Sequence, residues 1–183
     1  MNEIPSAVIY ILKKLINSGH EAYIAGGWVR DMLLNKSSKD IDIVTTAYPD
    51  DIELLFDDVK FVGRDFGVSL VKHNDEEFEV ATARKDGPYS DFRHPDYVEF
   101  CSLEEDAKRR DLTINALFYC PFSQKVLDFV GGRTDIKNKE IRFVGVEENR
   151  IKEDPIRMLR ALRFANRFGF KINAISISRI KEY

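Results

Sequence analysis

The 183-residue sequence predicts an α/β (α+β) fold, with a mixed sheet flanked by helices over residues 1–146 and the beginning of an all-helical element over 147–183. Three observations lead there. Segments with apolar residues three and four apart alternate with short β-branched segments, the pattern of helices packed on a sheet. From about Glu147 only the helical period continues. One β-branched stretch, Ile41–Val44, also has two aspartates set two residues apart, Asp40 and Asp42, which fits a strand with one wet face and one buried face.

Taken in order, IPSAVIYILKKLINSGH reads as an amphipathic helix. Val8, Ile9, Leu12, Leu15 and Ile16 form its stripe, Pro5 stands near its start and Gly19 at its stop. EAYIAGG is a strand ending in a Gly-Gly turn, and WVRDMLL a short helix. The aspartate strand follows, then a helix opened by Pro49. GVSLVKH and EFEVATA alternate as a hairpin across Asn74-Asp75. RKDGPYSDFRHPDY is a polar loop of a length that is more often functional than idle. Ser102 and Glu105 fit a capping box ahead of LEEDAKRRD, and NALFYC, KVLDFVGG and EIRFVG read as strands. The last periodic segment, AISISRIKEY, stops abruptly, as expected of the opening part of a larger architecture.

The 44% hydrophobic content is enough for a buried core, and no apolar run approaches the roughly 20 residues of a membrane helix. MNEIPSAVIYILKKL carries no secretory pattern, so a cytoplasmic location is expected. Cys101 and Cys120 have neither metal-site nor redox spacing and are expected to be reduced, buried thiols. The formal charge of −3 is uneven: residues 142–171 hold eight Lys/Arg against four Asp/Glu, a local +4 that leaves −7 elsewhere. An acidic body with a basic segment can gather metal ions at one place and phosphates at another.

Side chains two apart on a strand share a face, so Asp40 and Asp42 point together while Ile41 and Ile43 point into a core. Two adjacent carboxylates repel unless water or a cation intervenes, and Mg²⁺ suits one or two carboxylates completed by substrate phosphates. An isolated D-x-D is more often a solvated acidic face. In AGGWVRD, Gly26 and Gly27 allow close backbone approach to an anion, and Arg30 reaches the same ligand as a guanidinium fork. A Gly-Gly pair alone is more often a tight turn. Glu79 supplies a third oxygen ligand, or orients an attacking hydroxyl, if its strand neighbours the aspartate strand. An exposed strand carboxylate explains it equally well. RRDLTINAL sets Arg109, Arg110 and Asp111 at a helix end, where a salt-bridged surface is the plain explanation. In EDPIRMLRALRFANRFGF, Asp154 is a natural N-cap and Pro155 a natural first helical residue. Arg157, Arg160, Arg163 and Arg167 fall within about 120° of helical arc, opposite Met158, Leu159, Leu162 and Ala165. Ile156 and Phe164 lie within that arginine arc, which a merely solvated face would not need.

Together GGWVRD, DIDIVT, EVATAR, YSDFRHP, RRDLTINAL and EDPIRMLRALRF, in this order over residues 20–170, resemble the nucleotidyltransferase head of bacterial tRNA CCA-adding enzymes and the poly(A) polymerases of the same class, the class II tRNA nucleotidyltransferases. The resemblance implies a catalytic head over 1–146 and the start of a helical neck over 147–183. It implies that Asp40 and Asp42 bind two catalytic Mg²⁺ ions, with Glu79 as third carboxylate. It implies that Gly27, Arg30, Arg110, Arg160 and Arg163 contact the nucleotide, and that Asp154 and Arg157 select its base. The implied partners are ATP, CTP and a tRNA 3′ end. The implied reaction is template-independent addition of CMP and AMP, with A-only addition or poly(A) synthesis as the close alternative and a non-catalytic nucleotide- or RNA-binding piece as the alternative of another class.

Overall fold

The computed structural model describes residues 3–183. Its centre is a seven-stranded sheet made of β1 (Ala22–Ala25), β2 (Asp42–Thr45), β3 (Val59–Gly63), β4 (Val68–His73), β5 (Glu76–Thr82), β8 (Leu117–Cys120) and β9 (Lys125–Asp128). The spatial order is β3-β4-β5-β2-β1-β8-β9. The sheet is mixed because β2 runs parallel to β5, whereas the other pairs are antiparallel. The β4–β5 hairpin turns at Asn74 and Asp75, which both take the positive φ (52° and 62°) that a tight two-residue connection demands.

Alternation along the strands splits the core in two. Ile24, Ile43, Val80 and Leu117 join one cluster with Val8, Ile11, Leu12 and Leu15 of α1 (Ser6–Asn17) and with Trp28 and Val29 of α2 (Gly27–Leu33). Ala25, Val44 and Phe118 face the other way, onto Leu103 and Ala107 of α4 (Leu103–Arg109). Ile9 and Ile16, read as part of the α1 stripe, lie at its margin, where Ile16 is 38% exposed, and Ala7 and Ile11 are buried instead. Pro49 opens α3 (Pro49–Leu55) as expected. Ser102 caps α4 by accepting the Glu105 N–H at 3.3 Å, but the Glu105 carboxylate turns to Lys108, so only half of the capping box forms.

Several elements depart from the pattern. β3 is an edge strand whose alternation is only half-buried, which weakens its periodic signal. The polar loop is tied at its base by a ribbon of β6 (Arg84–Asp86) and β7 (Val98–Phe100). Residues after β9 form α5 (Gly132–Asn138), which begins where Gly132 is pressed so closely on the Thr113 carbonyl that a Cβ would clash. EIRFVG contributes only the two-residue strand β10 (Glu140–Ile141). The C-terminal part is not wholly helical: between α7 (Ile156–Phe168) and α8 (Ala174–Glu182), β11 (Lys171–Ile172) pairs in parallel with β10. Ala161 and Phe164 of α7 and Ile151 of α6 (Glu147–Glu153) join the same buried cluster as α1. Leu159 and Leu162 of α7 are exposed, at 66% and 44%; Arg157, Ala161 and Phe164 are buried, whereas Ile156, Arg163 and Arg167 of the arginine arc are exposed. Cys101 and Cys120 are free thiols but half-buried rather than buried. Among the described residues no helix is long and apolar enough to cross a membrane.

Candidate active site

A cleft of about 760 Å³ opens between the sheet and α7. Its lining brings together residues spread from Ala25 to Arg167 in the chain. Of the side chains singled out from sequence, Gly26, Gly27, Arg30, Asp40, Asp42, Glu79, Arg110, Asp154, Arg157 and Arg160 line it, and Arg163 does not. One turn after Arg160 the helix has rotated away, and the exposed Arg163 lies along the Phe164 ring, 4.9 Å from its centroid.

The floor is acidic. Asp40 and Asp42 are exposed on either side of buried Ile41, as the two-face reading expects. The strand of Glu79 does neighbour the aspartate strand: Ile43 is abreast of Val80 in the parallel β2–β5 pair, and one step back along that register Asp42 meets Glu79. Desolvation pushes the Asp42 carboxyl above the ordinary range, with Arg110 opposing and Asp40 adding to the rise. Glu79 is likewise raised by desolvation and by Asp42, against Arg84. Neither arginine is bonded to the floor: Arg110 is paired with Asp106 at 2.9 Å and Arg84 with Asp86 at 3.2 Å. Among the described residues no three His, Cys, Asp or Glu side chains form a group set to hold a metal ion, and Glu79 lies beside the pair, within the electrostatic reach of Asp42. Two hard carboxylates that leave most of the coordination shell to other oxygens fit Mg²⁺ bound together with phosphates.

The walls are basic and pre-positioned. Gly26 turns β1 into α2 with φ +67°, its N–H donating to Leu117 O at 2.9 Å, and a Cβ there would stand 3.4 Å from Arg110 Nη1. That φ favours glycine. Arg110 is clamped by Nε and Nη2 on one oxygen of Asp106, at 3.0 and 2.9 Å, and lies 5.0 Å from the Phe118 ring centroid. Arg30 also lines the cleft, already engaged within the protein. It is 4% exposed, and its donors go to Asp31 and Asn115 at 2.6–2.8 Å, so it borders the cleft without offering a free fork.

The far end belongs to α7. Pro155 has helical angles (φ −59°, ψ −23°), and the Asp154 carboxylate caps the turn by accepting the Ile156 N–H at 2.9 Å. Arg157 is 7% exposed; its backbone N–H donates to the Asp154 carbonyl at 3.1 Å, but its guanidinium is not bonded to the Asp154 carboxylate. It pairs with Glu153 at 2.6 Å and donates to the Tyr89 hydroxyl at 3.2 Å. Tyr89 donates in turn to Asp86 at 2.7 Å, and burial together with Asp86 pushes its pKa up to about 12. The sequence gives no individual role to Arg84, Asp86, Tyr89 or Asn115, all of which line the cleft together with Arg167 of the arginine arc. For Arg84, Asp86 and Tyr89 the sequence signal is the polar, Gly/Pro-containing loop, which says nothing of partners 68 residues away.

The profile of the poly A polymerase head domain matches residues 22–142. The CCA-adding enzyme of Bacillus subtilis (strain 168) is 46% identical over 174 residues, covering 94% of this chain and 44% of its own length. That of Enterococcus faecalis (strain ATCC 700802 / V583) is 44% identical, covering 94% and 43%. Among solved structures, the Bacillus stearothermophilus CCA-adding enzyme in complex with CTP superposes with a TM-score of 0.83 at 38% identity, over 93% of this chain and 40% of that one. A tRNA nucleotidyltransferase complexed with a primer tRNA and an incoming ATP analog gives 0.76 at 34%, over 96% and 49%. The chain spans less than half the length of the curated relatives it matches.

Proposed function

The chain belongs to the family of the poly A polymerase head domain, and from that premise we propose that it is the catalytic head and first neck helices of a nucleotidyltransferase that adds CMP and AMP, from CTP and ATP, to tRNA 3′ ends without a nucleic-acid template. The observation that carries the reading is one cleft with Asp40 and Asp42 on its floor, clamped arginines on its walls and Asp154 and Arg157 at its end. Asp40 and Asp42 would hold Mg²⁺, which when bound neutralises the triphosphate and activates the primer 3′-hydroxyl. Arg110 and Arg160 face the same space with fixed guanidinium planes, Arg160 through its 2.6 Å bond to Asp111. Preset charge of this kind stabilises a triphosphate without reorganising as it reacts.

Base choice follows from what each group can do. A carboxylate accepts and a guanidinium donates. Cytosine offers its N4 amino group beside the N3 acceptor, and adenine N6 beside N1, so Asp154 and Arg157 serve both. Uracil and guanine present a carbonyl and an N–H at those places, which sets acceptor against acceptor and donor against donor. The bonds seen here leave these groups facing the cleft separately, Asp154 through its cap and Arg157 through Glu153 and Tyr89. The test is to give the full-length protein tRNA ending at the discriminator base, CTP, ATP and Mg²⁺, and to sequence the 3′ end. CCA is expected. A run of A would favour the poly(A) polymerase reading that the family's own description suggests, and an unextended tRNA would refute transfer.

A further inference from the structure

The segment Arg110–Asn115 brings Arg110, Asp111 and Asn115 to the cleft, yet its regular structure amounts to one turn of 3₁₀ helix, Thr113–Asn115, and one isolated bridge, Leu112 to Phe143. What holds it lies behind the cleft. Thr113 is fully buried; its N–H donates to Arg142 O at 3.0 Å and its hydroxyl to Oδ2 of Asp135. Asp135, 4% exposed on α5, takes Arg142 on that same oxygen, Nε at 3.1 Å and Nη2 at 3.0 Å. The start of α5 is fixed in turn by Asp128 at the end of β9, whose Oδ1 accepts the N–H groups of Val130, Gly131 and Gly132 at 2.8–3.2 Å. A chain of bonds therefore runs from the sheet edge through α5 to Thr113. Two residues before Thr113, Asp111 accepts Arg160 Nε on Oδ2 at 2.6 Å and Asn115 Nδ2 on Oδ1 at 3.2 Å, so a displacement of this corner carries Asp111 and Arg160 with it. A buried ion pair adds little net stability over apolar packing of the same volume, but it fixes one geometry, and a hydroxyl bonded to a carboxylate is held more strongly than one bonded to a neutral acceptor.

We propose that Asp135 is a positioning residue: through the Thr113 hydroxyl it sets the height of the Arg110–Asn115 segment, and so where Asp111 and Arg160 stand relative to the Asp40–Asp42 floor. Neither Asp135 nor Thr113 lines the cleft, so both act through other groups and touch no substrate. The inference rests on the nucleotidyl transfer proposed above, in which Arg110 and Arg160 meet the triphosphate.

The test uses the full-length protein with Mg²⁺, CTP, ATP and tRNA ending at the discriminator base, at a temperature where urea titration shows each variant to be folded. Thr113→Val removes the hydroxyl and keeps the shape of the side chain. Thr113→Ser keeps the hydroxyl and removes the methyl. Asp135→Asn leaves the hydroxyl an acceptor but gives Arg142 no charge. In Thr113→Val kcat is expected to fall roughly tenfold or more, since a displacement of about 1 Å in groups that meet the reacting phosphate is enough for that, while KM for tRNA stays at the wild-type value. Thr113→Ser is expected to restore kcat, and Asp135→Asn to fall between the two threonine variants. A merely structural role would lower the urea midpoint of Thr113→Val and leave kcat per folded molecule as in the wild type; that result overturns the proposal. A wild-type kcat in folded Asp135→Asn overturns it too, as does a Thr113→Ser protein as slow as Thr113→Val, because the methyl and not the bond to Asp135 would then set the corner. If Thr113→Val or Asp135→Asn does not fold, the other decides by the same kcat. A wild-type protein that leaves tRNA unextended refutes nucleotidyl transfer itself, a failure separate from that of Asp135.

Discussion

Asp42 and Asp106 both lie within the influence of Arg110, yet the protein treats them in opposite ways. Asp106 is fully buried on α4 and takes Arg109 at 2.8 Å, Arg110 at 2.9 Å and the Arg84 N–H at 3.2 Å. Burial alone would raise its pKa, but Arg110, Arg109 and that N–H outweigh it and hold the carboxyl below the ordinary range. Asp42, on the cleft floor, is raised by desolvation and by Asp40, with Arg110 only partly compensating. The same side chain is therefore a satisfied anchor in one place and an under-compensated charge in the other. The anchor aims Arg110 into the cleft, and the floor is left short of positive charge that a cation with phosphates can supply.

Replacing the floor acids gives the largest effect. Asp40→Ala or Asp42→Ala in the full-length protein is expected to lower nucleotide incorporation by roughly a thousandfold or more, because several kcal/mol of charge stabilisation in the transition state disappear. The urea midpoint should stay near the wild-type value without Mg²⁺, since neither group anchors a buried partner. Substantial Mg²⁺-dependent turnover in either variant would remove the pair from the mechanism.

Asp106→Asn tests the other half of the comparison. It leaves Arg109 and Arg110 without their anion and should cost about 3–5 kcal/mol of stability, the usual cost of breaking a buried ion pair. The pH dependence has a definite sign. A folded carboxyl held below its unfolded value, about 3.9, contributes stability that is present above that value and is lost as pH falls through the lower folded pKa. The stability gap between wild type and Asp106→Asn should thus be constant near neutrality and shrink on the acid side of about pH 4. Urea midpoints across that range measure it, and a gap independent of pH would show that Asp106 acts by shape rather than by charge.

The same contrast explains what was legible in the chain. The Gly-Gly turn, the Pro49 helix start and the Asp154 cap are local and appear where turn and capping rules put them, whereas β2 begins only at Asp42 and Asp40 lies just before it. Asp42 and Glu79 were readable up to one condition, the adjacency of their strands, which topology alone decides. Arg30 and Arg163 show that an arginine's spacing says which way it starts but not what already occupies it. Asp31 and Asn115 satisfy the first, and Phe164 carries the second out of the cleft. Edge strand β3 and helix α5 were missed because their apolar periodicity is thin: β3 alternates only half-buried residues with exposed ones, and α5 buries only Gly132, Asp135 and Ile136.

The smallest expected effects lie at the far end of the cleft, where the comparison is sharpest between two neighbours in one network. Arg157→Ala removes the donor of the proposed base-selecting pair, while Glu153 keeps Arg150 and Tyr89 keeps Asp86; the lost base contact, about 1–3 kcal/mol, should appear as weaker discrimination against UTP and GTP. Tyr89→Phe keeps the ring and removes only the hydroxyl that bridges Asp86 to Arg157. The guanidinium retains its ion pair with Glu153, so it should shift rather than detach, and the loss should approach that of one ordinary hydrogen bond, about 1 kcal/mol or several-fold in selectivity. Because the 84–100 ribbon and loop meet α7 through this contact, the effect should fall on the ratio of nucleotides and not on the affinity for inorganic triphosphate. Incorporation efficiencies for all four nucleotides, measured beside triphosphate inhibition, distinguish the two. If Tyr89→Phe leaves the ratio untouched while Arg157→Ala relaxes it, Glu153 alone orients the arginine and the loop hydroxyl takes no part in base choice.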